Sequence, residues 1–237
     1  MVKTVFVTGG AGALGRAVVR QFCNEGYNVA FTYKKSKGKA AELAKETGAL
    51  ALEVDLLERE QVAKAIADTI EKYGQIDILV NNAGRTQIMP FALLEDEDWD
   101  GIMASNLKTM FITTQEAVRG MIYRKEGVIV NIGSLAGHRL LEVPVHYAAA
   151  KAGVMGFTLS LARELAPFNI RVNSIVPGLL EDGVGRMVPE KELKEYVSYC
   201  TAGRPGKMDE VANVVVFTAS DKASYMNGQN VFVDGGI

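Results

Sequence analysis

Short apolar runs alternate with longer amphipathic stretches from one end of this chain to the other. Runs such as Ile76-Asp77-Ile78-Leu79-Val80 and Gly127-Val128-Ile129-Val130-Asn131-Ile132 are mostly apolar rather than alternating, as expected for strands covered on both faces. The pattern predicts strands near 3–8, 28–33, 49–54, 77–81, 127–132, 170–175 and 229–233. Helices fall between them, near 13–25, 37–47, 59–73, 97–124, 147–166 and 208–219, the fourth beginning as a separate turn before Asn106. Strand and helix in regular succession mark βαβ units, so the predicted fold is α/β: a doubly wound parallel sheet of about seven strands with helices on both faces. No repeat, low-complexity tract or linker divides the chain, and residues 1–237 read as a single domain.

One segment breaks the rhythm. Between Pro177 and about Lys207 stand three prolines, five glycines and the charged stretch Glu190-Lys191-Glu192-Leu193-Lys194-Glu195. A connection this long inside a compact domain is usually a lid or binding loop. It is expected to cover a site as a lid at about 179–206, with a short helix near 190–199.

Composition narrows the picture by exclusion. Hydrophobic residues at 48% and charged residues at 23% are ordinary globular values. No apolar run is long enough to span a membrane, and Met1–Val7 is too short for a secretory leader, so a cytoplasmic protein with no membrane partner is expected. The net charge of −2 is interspersed and forms no basic stripe for nucleic acid. Cys23 and Cys200 lie 177 positions apart in no metal or redox motif and are expected to be buried thiols. Two histidines give a metal-based mechanism little to work with, and the acidic run Glu95–Asp98 reads as a solvated helix start, so no metal site is expected.

Candidate chemistry centres on Tyr147 and Lys151, with Ser134 upstream. Positions i and i+4 share a helix face, so the Lys151 ammonium can sit under the Tyr147 phenol and favour its ionised form. Bringing a tyrosine from about pH 10 to about 7 takes roughly 4 kcal/mol of differential stabilisation. One close ammonium in a poorly solvated cleft has that order of magnitude.

A second candidate lies at the start of the chain. The first strand runs into Thr8-Gly9-Gly10-Ala11-Gly12-Ala13-Leu14-Gly15, followed by the amphipathic Arg16–Phe22. Gly10, Gly12 and Gly15 satisfy G-x-G-x-x-G in the strand-turn-helix setting that brings backbone N–H groups to a pyrophosphate, the mark of a Rossmann-type dinucleotide site. Sites for NAD usually show an acid near the end of strand two, yet Ala30-Phe31-Thr32-Tyr33-Lys34-Lys35-Ser36 holds none. Tyr33, Lys34 and Lys35 there suit a 2′-phosphate, so NADP(H) is the expected cofactor, a solvated basic turn being the alternative. Asp55 and Leu56, after the third strand, are candidate contacts for the adenine.

With Thr8-Gly9…Gly15, Asn81-Asn82-Ala83-Gly84, Asn106, Ser134, Tyr147-x-x-x-Lys151, Pro177-Gly178 and the closing Asn227–Gly236, the chain resembles the short-chain dehydrogenase/reductases over essentially its whole length. Within them it looks most like the 3-oxoacyl-[acyl-carrier-protein] reductases. The resemblance implies that Tyr147 is the general acid for carbonyl reduction, that Ser134 polarises the carbonyl, and that Lys151 lowers the Tyr147 pKa while holding the nicotinamide ribose. It implies that the Asn106 backbone holds a water linking Lys151 to solvent. It places Asn81, Asn82, Ala83 and Gly84 along the cofactor, Pro177 and Gly178 at the nicotinamide, and the closing Asp234-Gly235-Gly236 near a subunit interface of a homotetramer.

Two departures from the family pattern stand out. Ala13 occupies a common glycine position, and Leu179-Leu180-Glu181-Asp182 replaces a stretch in which many members carry a threonine that bonds the carboxamide; Asp182 either replaces that bond or points to solvent. For the substrate, segment 136–146 and the lid are expected to wall the pocket, with Leu140, Leu141, Val143 and Met187 forming an apolar channel for an acyl chain or simply packing. His138 and His146 read as wall or hydrogen-bonding residues, and Arg124 with Lys125 as either solvated helix-end cations or a docking point for an acidic carrier or CoA phosphate. The expected reaction is NADPH-dependent reduction of a 3-oxoacyl thioester on acyl carrier protein or CoA. The same mechanism on a sugar, polyol or steroid-like ketone, and a non-catalytic nucleotide sensor, are the alternatives.

Overall fold

The computed structural model describes residues 2–139 and 143–237. Seven strands form one parallel sheet: β1 (Thr4–Val7), β2 (Asn28–Tyr33), β3 (Leu50–Glu53), β4 (Ile78–Asn81), β5 (Gly127–Ile132), β6 (Ile170–Pro177) and β7 (Asn230–Val233). Their order is β3-β2-β1-β4-β5-β6-β7. Every expected strand and helix is present, with ends shifted by a residue or two.

Alternate residues of each strand feed two separate cores. Val5, Val7, Phe31, Ile78, Val80, Val130 and Ile175 face one side, where Val18 and Phe22 of α1 (Ala13–Asn24), Leu43 of α2 (Lys37–Thr47) and Val211 and Val215 of α8 (Met208–Ala219) cover them. Phe6, Leu79, Ile129 and Val172 face the other, under Val62 and Ile66 of α3 (Arg59–Tyr73), Ile112 and Met121 of α5 (Thr109–Arg124) and Leu165 of α6 (Val145–Leu165). Side chains of adjacent strand residues point to opposite faces, so burial on both sides demands an apolar residue at nearly every position. Each fully buried large side chain contributes roughly 1.5–3 kcal/mol.

The stretch over 97–124, expected to begin as a separate turn before Asn106, is three pieces. α4 (Asp96–Met103), opened by a capping box between Glu95 and Asp98, passes into a π turn at Ala104–Lys108 and then into α5. Buried Asn106 sits in that π turn, its Nδ2 donating to Arg85 O at 2.8 Å and Ile102 O at 3.0 Å. A π turn interrupts the i→i−4 ladder and redirects the backbone groups within it.

Between β6 and α8 the chain makes a 3₁₀ turn at Gly183–Met187 and then α7 (Glu190–Tyr199). Leu180 and Gly206 bridge at its base through Gly206 N–H to Leu179 O and Glu181 N–H to Gly206 O. The long segment is therefore closed at its root.

Arg124 and Lys125 lie at the wrong end of the sheet to serve the site. They precede Gly127, the first residue of β5, whereas Ser134 follows its last, and six strand residues separate the two ends by roughly 20 Å. The Arg124 guanidinium instead donates to Ile76 O at 2.6 Å.

Candidate active site

β1 and β4 are neighbours, while the chain leaves them toward opposite sides of the sheet, and the crevice at their carboxyl ends is the switch point of the topology. Thr8 organises it. Its Oγ1 accepts from the N–H groups of Asn82 and Ala83 at 2.9 and 3.0 Å, and Asn82 Nδ2 donates back to Thr8 O and Gly9 O at 3.0 and 3.1 Å. Gly9 has φ +65°, and a Cβ there would stand 2.9 Å from Ala83 Cα. Only glycine allows both the left-handed turn and that approach.

The turn then opens α1 with Gly12 as N-cap and no capping side chain. The first-turn N–H groups of Ala13, Leu14 and Gly15 lack intrahelical partners, as at any helix start. A Cβ on Gly15 would fall 2.3 Å from Gly9 O, so the cradle is shaped by backbone alone. These residues fit the pyrophosphate of a dinucleotide.

At the far edge, strand pairing adds acids to the turn that the sequence reads as basic. Tyr33 pairs in register with Glu53, and its Oη donates to Glu53 Oε2 at 3.5 Å. Lys34 Nζ donates to Asp55 Oδ2, which holds the carboxyl below its ordinary value. The turn after β2 has no acid of its own, but the neighbouring strand brings two. Asn81, expected along the cofactor, turns its side chain inward: its Nδ2 donates to Thr114 Oγ1 and Asn131 Oδ1, both at 2.9 Å. Asn131 Nδ2 passes the network on to Thr158 Oγ1 at 2.9 Å.

Tyr147 and Lys151 occupy the first two turns of α6, and Ser134 follows the end of β5. Lys151 is buried, its Nζ 5.8 Å from the centroid of the Tyr147 ring and donating to Ile132 O at 2.9 Å. A Cβ on Gly84 would lie 2.5 Å from Asn106 Oδ1 and 3.7 Å from Lys151 Nζ, so Asn106, Gly84 and Lys151 converge from three elements. Ser134 Oγ accepts from Ala136 N–H at 3.1 Å.

The lowering of the Tyr147 pKa expected of Lys151 is opposed here by burial. Burial pushes the phenol up from 10.0, and the neighbouring Ser134 hydroxyl offsets part of that rise. Burial also draws the Lys151 ammonium down, to about 8. At neutral pH the phenol is therefore a protonated donor, and most of the lysine remains charged.

Pro177 ends β6, and Gly178 N–H donates to Val233 O at 3.0 Å. Tyr196 of α7, which sequence reasoning missed, inserts behind them: its Oη accepts from Leu179 N–H at 2.8 Å. No local signal marks a contact between residues 17 positions apart. Asp182 has partners within the protein. It accepts from Gly183 N–H at 2.7 Å and pairs with Arg186 at 2.8 Å, with Arg16 of α1 at 4.0 Å, instead of pointing to solvent alone.

His146 is fully buried, so it is a core residue rather than a pocket wall, and burial pushes its pKa down. His138 packs its ring against Phe232 with centroids 4.5 Å apart. Val143 is half-buried and Met187 exposed; Leu140 and Leu141 lie outside the described residues. Cys200 is buried and Cys23 half-buried, both free. Among the described residues no cluster of three metal-ligating side chains occurs, and no helix is long and apolar enough to cross a membrane.

A family model described as Enoyl-(Acyl carrier protein) reductase matches residues 9–237. The chain is 40% identical over 240 residues to the 3-oxoacyl-[acyl-carrier-protein] reductase FabG of Thermotoga maritima, covering 99% of this chain and 97% of that protein. The enzymes of the same name from Aquifex aeolicus, at 38% over 99% of this chain and 97% of theirs, and from Staphylococcus aureus, at 34% over 100% and 98%, are similar throughout. Among solved structures, a doubly substituted short-chain dehydrogenase/reductase of Serratia marcescens superposes with a TM-score of 0.92 at 32% identity, covering 99% of this chain and 97% of that one. With the sheet order, the glycine cradle and the Ser134, Tyr147 and Lys151 cluster, these likenesses show that the chain belongs to the short-chain dehydrogenase/reductase family and is an oxidoreductase acting on a CH–OH/C=O couple.

Proposed function

We propose that this protein reduces a 3-oxoacyl thioester, carried by acyl carrier protein or CoA, to the 3-hydroxyacyl thioester with NADPH. The observation that carries the proposal is the meeting of the half-buried Tyr147 phenol with the Ser134 hydroxyl, beside the buried Lys151 ammonium. Relatives at 34–40% identity that are named for this activity support the substrate class.

In this reading Ser134 and Tyr147 each donate a hydrogen bond to the ketone oxygen, stabilising the negative charge that develops there. The reduced nicotinamide, when bound, supplies a hydride to the carbonyl carbon. Tyr147 delivers its phenolic proton to the oxygen, completing the alcohol. Lys151 stabilises the resulting phenolate and binds the nicotinamide ribose. The π turn at Asn106 supports a backbone role in returning the proton, because it shifts the i→i−4 ladder beside Lys151. Gly9, Gly10, Gly12, Ala13, Leu14 and Gly15 hold the pyrophosphate, while Asn82, Ala83, Gly84, Pro177 and Gly178 line the rest. Tyr33, Lys34, Lys35, Asp55 and Leu56 receive the adenosine end.

Residues 179–206 act as the lid, with exposed Met187 facing the acyl chain. The protein works in the cytoplasm, and it assembles as a homotetramer, a reading supported by the groove that Asp100, Met103, Ala104, Leu107, Lys108 and Phe111 line across α4, the π turn and α5. Static light scattering at the mass of four chains is the expected result; a monomer would refute the assembly.

The description of the matching family model favours one second reading, reduction of the C=C bond of an enoyl thioester. Loss of absorbance at 340 nm with acetoacetyl-CoA, and a further gain with a 3-oxoacyl carrier-protein substrate, is expected with NADPH. Turnover of crotonyl-CoA without acetoacetyl-CoA would establish the second reading. Turnover of neither, with the dinucleotide still bound, would direct the search to sugar, polyol or steroid-like ketones.

A further inference from the structure

The adenosine end of the site holds an arrangement invisible along the chain. Tyr33 and Lys34 run out from β2 beside Glu53 and Asp55, which run out from β3, and each faces an acid. Asp55 is the fixed member of its pair. Its Oδ1 accepts from Leu57 N–H at 3.2 Å, its own N–H donates to Gln61 Oε1 at 2.9 Å, and its side chain is 26% exposed against 57% for Lys34. Lys34 is thus a flexible arm drawn onto an anchored carboxylate.

We propose that Asp55 tempers the preference of this protein for a 2′-phosphate, by holding the Lys34 ammonium in an ion pair at the end of β2 and cancelling most of its charge there. The inference rests on the reading that the site takes NADPH. A 2′-phosphate brings nearly two negative charges, so its attraction to the turn follows the net charge within a few ångströms. Lys34 and Asp55 together are close to neutral, which leaves Lys35 as the other cation of the turn. The selectivity is therefore weaker than two consecutive lysines suggest, and removing the carboxylate charge sharpens it. The two probes differ only in the 2′-phosphate, so a ratio of affinities isolates the effect of the Asp55 charge on that group.

The test is isothermal titration of wild type, Asp55→Asn and Lys34→Met with adenosine 2′,5′-bisphosphate and with 5′-AMP at low salt. Neither probe carries a nicotinamide, and 5′-AMP binding also reports a folded site; Asp55→Ser substitutes if the Asn variant does not fold. Asp55→Asn is expected to raise the bisphosphate preference about tenfold, and Lys34→Met to lower it by a similar factor, the order expected for a unit charge near a partly screened phosphate. A ratio unchanged or lowered in Asp55→Asn, with Lys34→Met still lowering it, overturns the inference and leaves the NADPH reading standing. An unchanged ratio in Lys34→Met overturns both, because the turn then does not meet the phosphate.

Discussion

A Cβ on Gly84 would stand 2.5 Å from the amide oxygen of Asn106, leaving no room for a methyl group between the two residues. The Asn106 amide is fixed on its other side by Arg85 O and Ile102 O, so it has nowhere to retreat. Gly84→Ala is expected to destabilise the protein by about 1–3 kcal/mol through overpacking, and to raise the KM for the dinucleotide. Urea denaturation without cofactor measures the first effect. An unchanged midpoint would show that the π turn yields more easily than its hydrogen bonds imply.

Tyr147→Phe removes the proton donor and no phosphate contact. Turnover should fall by about 10²- to 10⁴-fold while dinucleotide affinity stays near wild type. Fluorescence titration beside steady-state rates separates the two. Activity retained to within a few-fold would sink the assignment of the general acid.

The pH profile has a defined sign. Reduction needs the phenol protonated and Lys151 charged, so kcat/KM should hold through neutral pH, fall first as Lys151 loses its proton near about 8, and fall again in the alkaline limb as Tyr147 ionises above its ordinary 10.0. The Ser134 hydroxyl pulls that pKa down against the push of burial, so Ser134→Ala moves the alkaline limb to higher pH as well as slowing the reaction. A limb that moved lower in the variant would mean that Ser134 does not stabilise the phenolate.

Asn131 donates to Thr158 and accepts from Asn81 in a place without solvent. Asn131→Leu takes one partner from each, Asn81 keeping Thr114 Oγ1 and Thr158 keeping Val154 O, at about 1–3 kcal/mol apiece. Stability in urea is expected to fall by several kcal/mol. A near-neutral outcome would show that Thr114 alone satisfies Asn81.

The legible parts of the molecule were those whose cause is local. Continuous apolar runs at Ile78–Val80 and Gly127–Ile132 specify strands buried on two faces because strand side chains alternate by backbone geometry. Gly9 to Gly15 specify a cradle because a Cβ would collide with backbone a few residues away. Tyr147 and Lys151 share a face because helical spacing requires it. The strand-helix order, the family and the central cluster were therefore set by residues close together in sequence.

Tertiary structure alone decided what depends on strand pairing and packing between distant segments. The β2–β3 register puts Glu53 and Asp55 beside a turn that reads as purely basic. Strand direction carries Arg124 to the end of the sheet opposite Ser134. Burial, which depends on everything packed around a group, raised the Tyr147 pKa that spacing alone would lower, and made His146 a core residue. Each of these is fixed by contacts among residues far apart in the chain, and no periodicity along the sequence encodes which charges those contacts bring together.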